Sequence, residues 1–242
     1  MVRIYMNLVK SLAIFFFDLI DIYYHQKNII RYFSRNKIDL KFYCDIGSHK
    51  GTYSDLFIKN FKNLKVFMFE PQINIFNLIK KKYKDKKNVK CFNIAISNEQ
   101  SKKIFSINEH NLTSSFSTFN KKNIYLKAKA ILFGKSFKKM ITKKVIVKTN
   151  TLDKIIKKNK ILKIDLVKID TEGHELQVLK GMNKSLKKIT HILVEIHNDK
   201  IYQNYNPKKV HNFLIRNNYE LKDKFRFPFT TWEDRIYTRK AR

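Results

Sequence analysis

With 242 residues the chain is long enough to bury the core of one α/β domain, and its 43% hydrophobic and 29% charged residues exclude a disordered polymer. Two cysteines make no disulfide framework and no metal-ligand spacing, so Cys44 and Cys91 read as small buried hydrophobes of a reducing compartment. A formal charge of +31 points in principle to nucleic acid, anionic lipid or an acidic polymer. Yet Lys, Asn and Ile are inflated together and the lysines are scattered over many segments, as a chain-wide compositional bias would scatter them. The expected surface is therefore solvated and basic. Nucleic acid is not the expected partner, and a peripheral attraction to anionic membranes or polymers stays open.

In chain order, residues 1–36 read as an amphipathic helical preface, with Leu8, Leu12, Phe15, Phe16, Leu19 and Tyr23 at helical spacing. The apolar run 12–17 is far shorter than the ~20 residues of a spanning helix, and Asp18 and Asp21 interrupt it. No small-residue cleavage site follows, so the expectation is no transmembrane segment and a cytoplasmic, at most membrane-peripheral, protein. Residues 37–242 then form the main domain. Strands are expected at 40–44, ending in Asp45-Ile46-Gly47, at 66–69, ending in Glu70-Pro71, and at 89–96. Helices are expected at 52–61, with Tyr53, Leu56, Phe57 and Phe61 on one side, and at 73–83.

Regularity lapses after a short strand at 103–107, and 108–144 reads as a substrate or lid loop. A strand at 144–148 leads to a helix at 151–158 with Thr151 as N-cap. A strand at 166–169 runs into Asp170-Thr171-Glu172-Gly173-His174-Glu175, followed by a helix at 176–186. The strand 191–196 ends at His197, Pro207 opens a helix, and 219–225 with 234–239 can pair as a hairpin. Unalternating apolar strands between helices predict a doubly wound, mostly parallel sheet with an antiparallel edge strand.

Ligands of such sheets bind outside the carboxyl ends of the strands. Four acids fall there: Asp45, Glu70, Asp170 and Glu195. The first opens an Asp-x-Gly-x-x-x-Gly loop, in which Gly47 permits a tight turn and Gly51 close packing of the next helix. The middle glycine of the dinucleotide motif is missing, and Lys50-Gly51-Thr52 is not a P-loop. A carboxylate before the first glycine suits an ammonium-bearing ligand such as S-adenosylmethionine, and Glu70 suits two ribose hydroxyls.

These segments, Asp45 to Tyr53, Phe69-Glu70-Pro71, Ala95-Ile96-Ser97, Thr151-Leu152-Asp153, Val167 to Glu175 with Leu179-Lys180-Gly181, and Val194-Glu195-Ile196-His197, resemble the FkbM family of methyltransferases. The resemblance spans roughly residues 40–200 in matching order, and its most discriminating part is Lys168-Ile169-Asp170-Thr171-Glu172-Gly173-His174-Glu175. It implies a Rossmann-like class I fold with a seven-stranded sheet, S-adenosylmethionine as methyl donor, and O-methylation of a hydroxyl on a sugar, glycan or small metabolite.

Donor-binding candidates are Asp45, Gly47, Ser48, Gly51, Thr52, Glu70, Pro71, Ala95, Ile96 and Asp170. Transfer from a sulfonium to an alcohol needs alignment and a base for the hydroxyl proton. Candidates for the chemistry are His197 and Asp170, then His174, with Glu172 and Glu195 beside them. Asp170, Glu195 and His197 are also chemically able to ligate a divalent cation, but they lack the spacing of a dedicated site, and no metal is expected. An RNA methyltransferase of the same fold, supported by the charge, and a non-catalytic donor-binding module are the rival readings.

Overall fold

The computed structural model describes residues 20–108, 114–120, 123, 141–199, 201–228 and 230–241. Residues 1–19 of the preface and most of the 108–144 loop lie outside the described residues. A seven-stranded sheet runs in the order β3-β2-β1-β7-β8-β10-β9. Its strands are β1 (Phe42–Ile46), β2 (Lys65–Phe69), β3 (Val89–Phe92), β7 (Ile164–Ile169), β8 (Ile189–His197), β9 (Tyr219–Arg226) and β10 (Trp232–Arg239). All pairings from β3 to β8 are parallel. The expected hairpin forms, and its second strand β10 inserts antiparallel between β8 and β9.

The strands are apolar on both faces because both are covered. Successive residues of β1, β2 and β7 divide between two cores: Cys44, Phe67 and Val167 join one, Tyr43, Val66 and Leu166 the other. The first core is closed by α4 (Leu152–Lys158), α5 (Glu175–Lys180) and α6 (Pro207–Arg216), through Ile155, Val178 and Leu214. The second is closed by α1 (Gln26–Arg35), α2 (Thr52–Asn60) and α3 (Ile73–Lys82), through Phe33, Phe57 and Ile79. Thus the described end of the preface packs on the domain, after a π-helical turn at Asp21–His25. Thr151 caps α4 as expected, accepting from the Lys154 N–H at 3.2 Å.

One expected strand is corrected. Residues 89–96 do not form a single strand, because the Asn93 side chain donates to the Glu70 and Pro71 carbonyls, at 3.0 Å each, and turns the chain away. The remainder becomes β4 (Ala95–Ile96) of a separate three-stranded sheet with β5 (Lys102–Asn108) and β6 (Ile141–Asn150). The helix expected at 176–186 is also shorter, ending at Lys180, where the Gly181 backbone packs directly onto Ser97; a Cβ at 181 would stand 1.9 Å from the Ser97 carbonyl oxygen.

Candidate active site

Strand order reverses between β1 and β7, so their carboxyl ends open the crevice. There the two chain turns touch. The Asp170 N–H donates to the Ile46 carbonyl at 3.0 Å, and a Cβ at residue 47 would lie 1.8 Å from the Asp170 carbonyl oxygen. With φ at +83° as well, only glycine fits at Gly47.

At the ends of β1 and β2, Asp45 lies within β1, not after it, and is buried. One of its oxygens accepts from Ser54 Oγ at 2.6 Å, while Oδ1 has no hydrogen-bond partner. Burial pushes its carboxyl up, with Lys168 and Ser54 opposing. Gly47 and Ser48 both donate N–H bonds to the Phe69 carbonyl, at 3.0 and 3.1 Å. Glu70 is buried and accepts the His49 N–H at 3.0 Å and the Gln72 N–H at 2.7 Å, one on each oxygen. Burial nevertheless raises it to about 7. His49 Nε2 is a second buried atom without a partner. Thr52 opens α2 and is exposed, Pro71 is half-buried, and Ala95 and Ile96 are buried in β4. The orphaned Asp45 oxygen fits an ammonium donor, as an S-adenosylmethionine site requires.

Sequence reasoning assigned no role to Lys168. It is 2% exposed on β7, its Nζ bonds Asp170 at 2.8 Å and lies 4.1 Å over the Tyr53 ring. Burial alone would lower its pKa, but Asp170, Asp45 and Asp234 hold it well above the usual lysine value. Asp234, on β10, in turn accepts from Tyr53 at 2.8 Å and pairs with His25 of the preface at 2.9 Å. A lysine inside the fully buried run Leu166–Ile169 was the available signal for this buried network.

The ends of β7 and β8 are built around a bent loop. Glu172 and Gly173 take φ values of +54° and +90°. Glu175, fully buried at the start of α5, folds back and accepts from the Thr171 and Gly173 N–H groups at 3.2 and 2.9 Å. Burial lifts its carboxyl to about 7. Ser115 donates to the Glu172 carbonyl at 2.6 Å, and Tyr202 Oη donates to the Glu172 carboxylate. These contacts bring Glu172 to Glu195 and His197 at the end of β8. His197 Nε2 lies 2.9 Å from Glu195 and 3.3 Å from Glu172. Burial pushes Glu195 well up, and Asp170 adds to it. Burial would lower His197, but Glu172 and Glu195 hold it well above the usual histidine value. Burial also raises Asp170, with Lys168 opposing and Glu172 adding.

His174 does not join this group. It faces the second sheet, 2.9 Å from Ser97 Oγ and against the Phe116 ring, and burial lowers it to about 4. Beside the Glu172–His197 group lies an open cleft of about 590 Å³, lined by Asn120, Asn198, Tyr202, Gln203, Tyr205 and neighbours.

The parallel sheet with its antiparallel β10, and the glycine loop at its switch point, define a class I S-adenosylmethionine-dependent methyltransferase. The fold matches a magnesium protoporphyrin IX methyltransferase of Synechocystis PCC 6803 with bound S-adenosylmethionine, at TM-score 0.50 and 9% identity over 89% of this chain and 78% of that one. It equally matches an S-adenosylmethionine-dependent methyltransferase of Clostridium acetobutylicum, at TM-score 0.50 and 10% identity over 97% and 100%. The Methyltransferase FkbM domain model matches residues 45–221, and the chain belongs to that family. A short stretch of 51 residues is 43% identical to a hexuronic acid methyltransferase of Haloferax volcanii, covering 21% of each protein. Among the described residues no helix is long and apolar enough to cross a membrane.

Proposed function

We propose that the protein transfers the methyl group of S-adenosylmethionine to a hydroxyl of a sugar or glycan, with Asp170 taking the proton. The observation that carries this reading is the cleft beside the Glu172–His197 group. Of the described residues lining it, Lys208 is the one cation, in a chain of net charge +31; the rest are mostly amides and tyrosines. Amides and phenols hydrogen-bond a neutral polyhydroxyl acceptor, whereas a nucleic-acid backbone selects cations. The short likeness to a hexuronic acid methyltransferase supports a sugar acceptor.

S-adenosylmethionine supplies an already activated methyl group, so the protein's work is alignment and proton removal. Asp45 and Glu70 bring carboxylates to the ends of β1 and β2, the groups that the donor's ammonium and ribose hydroxyls call for. The acceptor oxygen bonds to the methyl carbon as the carbon–sulfur bond breaks, and the hydroxyl proton passes to Asp170. Asp170 suits that part because its side chain is 26% exposed, while that of His197 is sealed at 6%.

The test is transfer from methyl-labelled S-adenosylmethionine to a uronic acid glycoside, a neutral glycoside and a structured RNA. Label on a saccharide oxygen is the expected result. Label on RNA and on neither saccharide would overturn the assignment.

A further inference from the structure

One strand and one strained loop deliver three metal-ligating side chains to a single point. Glu195 and His197 are two residues apart on β8 and so project from the same face. Glu172 reaches them from the loop after β7, held in the left-handed region at φ +54°, a conformation that costs a non-glycine residue about 1 kcal/mol or more. One ligand atom of each, two carboxylate oxygens and an imidazole nitrogen, lie within 4.8 Å of one another.

The imidazole is the second, independent observation. The His197 side chain is 6% exposed, and Nε2 is aimed between the two carboxylates. Although close to both, it makes no bond of hydrogen-bond geometry with either, and Nδ1 has no partner. A ring nitrogen carries at most one proton and can satisfy one acceptor, whereas its lone pair and two carboxylates can share one cation. Basic side chains are abundant in this chain, with 51 Lys and Arg, yet among the described residues none forms an ion pair with Glu195.

We infer that Glu172, Glu195 and His197 bind a divalent cation, with its remaining positions open to acceptor oxygens in the adjoining cleft. Two carboxylates and an imidazole that gives up its proton to water on binding carry a charge of −2, which a divalent ion balances. Carboxylates suit Mg²⁺ and Mn²⁺, and imidazole extends the preference toward Mn²⁺ and Zn²⁺, so Mn²⁺ satisfies the whole set. Tyr202 and Tyr205, which line the cleft, also wall the site: their rings stand 5.2 and 6.1 Å from that of His197. A cation there would hold the acceptor's oxygens by direct coordination, where a surface of amides alone holds them by hydrogen bonds. That role rests on the methyltransferase reading above; the binding itself does not.

The experiment titrates MnCl₂ into the full chain, stripped of metal and free of donor and acceptor, with unbound Mn²⁺ read by electron paramagnetic resonance. One Mn²⁺ per chain is expected. Glu195→Gln and His197→Gln should each weaken binding about tenfold or more, while His174→Gln, at a side chain that faces Ser97 instead, leaves it unchanged. Circular dichroism checks that each variant folds, and Glu195→Asp, which only shortens the arm, serves if a Gln variant does not. No saturable binding by the folded wild type, or full binding by both ligand variants, overturns the site. Methyl transfer in the metal-stripped protein separates the two readings. Transfer without any Mn²⁺ binding removes the cation alone; Mn²⁺ binding with no saccharide methylated keeps the site and removes the acceptor.

Discussion

The two halves of the crevice are organised on opposite principles. On the donor side, at the ends of β1 and β2, the polar groups are tied to nearby backbone: Glu70 takes an N–H on each oxygen, and Gly47 and Ser48 hang from the Phe69 carbonyl. On the acceptor side, at the ends of β7 and β8, charged side chains face one another, with Glu172 and Glu195 on a single histidine and Asp170 on a buried lysine. A site of backbone bonds is rigid before its ligand arrives and binds one invariant molecule. A site of close side-chain charges holds electrostatic energy that a reacting group can draw on. The division can be attacked by substitution.

The largest effect belongs to Asp170→Asn. If the proton leaves on the acceptor side alone, kcat should fall by ~10²–10⁴-fold while the affinity for S-adenosylmethionine, measured by calorimetry, changes little. A parallel collapse of donor affinity would show that the halves are not separable at Asp170.

Next comes the strut between the halves. Lys168 offsets Asp170, Asp45 and Asp234 at once, from a position that is 2% exposed. Lys168→Met keeps the length and removes the charge, leaving buried carboxylates without their cation. The expected loss is roughly 3–5 kcal/mol, on the order of 10 °C in thermal melts. An unchanged melting temperature would mean that the acids simply take up protons and that the network is not a structural strut.

The donor half was the more legible in the sequence because its logic is local. A strand, a glycine turn and a second acidic strand end can be read from neighbouring residues, and Gly47 and Glu70 occupy the places expected of them. The doubly wound, mostly parallel sheet followed from alternating strands and helices for the same reason. The acceptor half depends on contacts that no local pattern encodes. Glu172 meets His197 only because β7 pairs with β8 and because the loop takes two successive positive φ values, clamped by Tyr202 and Glu175. The end of β3 was misjudged because Asn93 sits inside an apolar run, and its side chain, not its neighbours' hydropathy, decides where the strand stops.

A smaller effect is expected at Glu70. Glu70→Ala should weaken S-adenosylmethionine binding by about 1–3 kcal/mol, through lost bonds to the ligand and a loosened His49 and Gln72 backbone. The comparison sharpens if kcat at saturating donor stays near normal. It breaks if kcat falls as far as in Asp170→Asn, because a backbone-tied anchor would then be acting in the chemistry.

The smallest effect, and the cleanest in sign, concerns His174, which shares a loop with Glu172 yet faces away from it. Burial, reinforced by the charge of Lys103, lowers His174 to about 4, so at neutral pH it is an uncharged partner of Ser97. A group whose pKa falls on folding contributes stability that is present above its unfolded value, about 6.5 for histidine, and lost as the pH drops toward the folded value. Wild-type stability should therefore decline between pH 6.5 and 4 by a few kcal/mol at most from this group. His174→Gln keeps an amide for Ser97 but cannot take up a proton, so its deficit at pH 7 should shrink, or reverse, at pH 4.5. Burial also lowers His49 and His191 to about 4, and both proteins will lose stability in acid for that reason. Only the difference between the two melting curves reports His174, and a difference constant with pH would mean that it is not buried as a neutral ring. Turnover at pH 7 supplies the remaining check: because His174 touches neither Asp170 nor the Glu172–His197 group, the variant should retain nearly all of it, and a loss comparable to that of Asp170→Asn would move the reacting centre toward the second sheet.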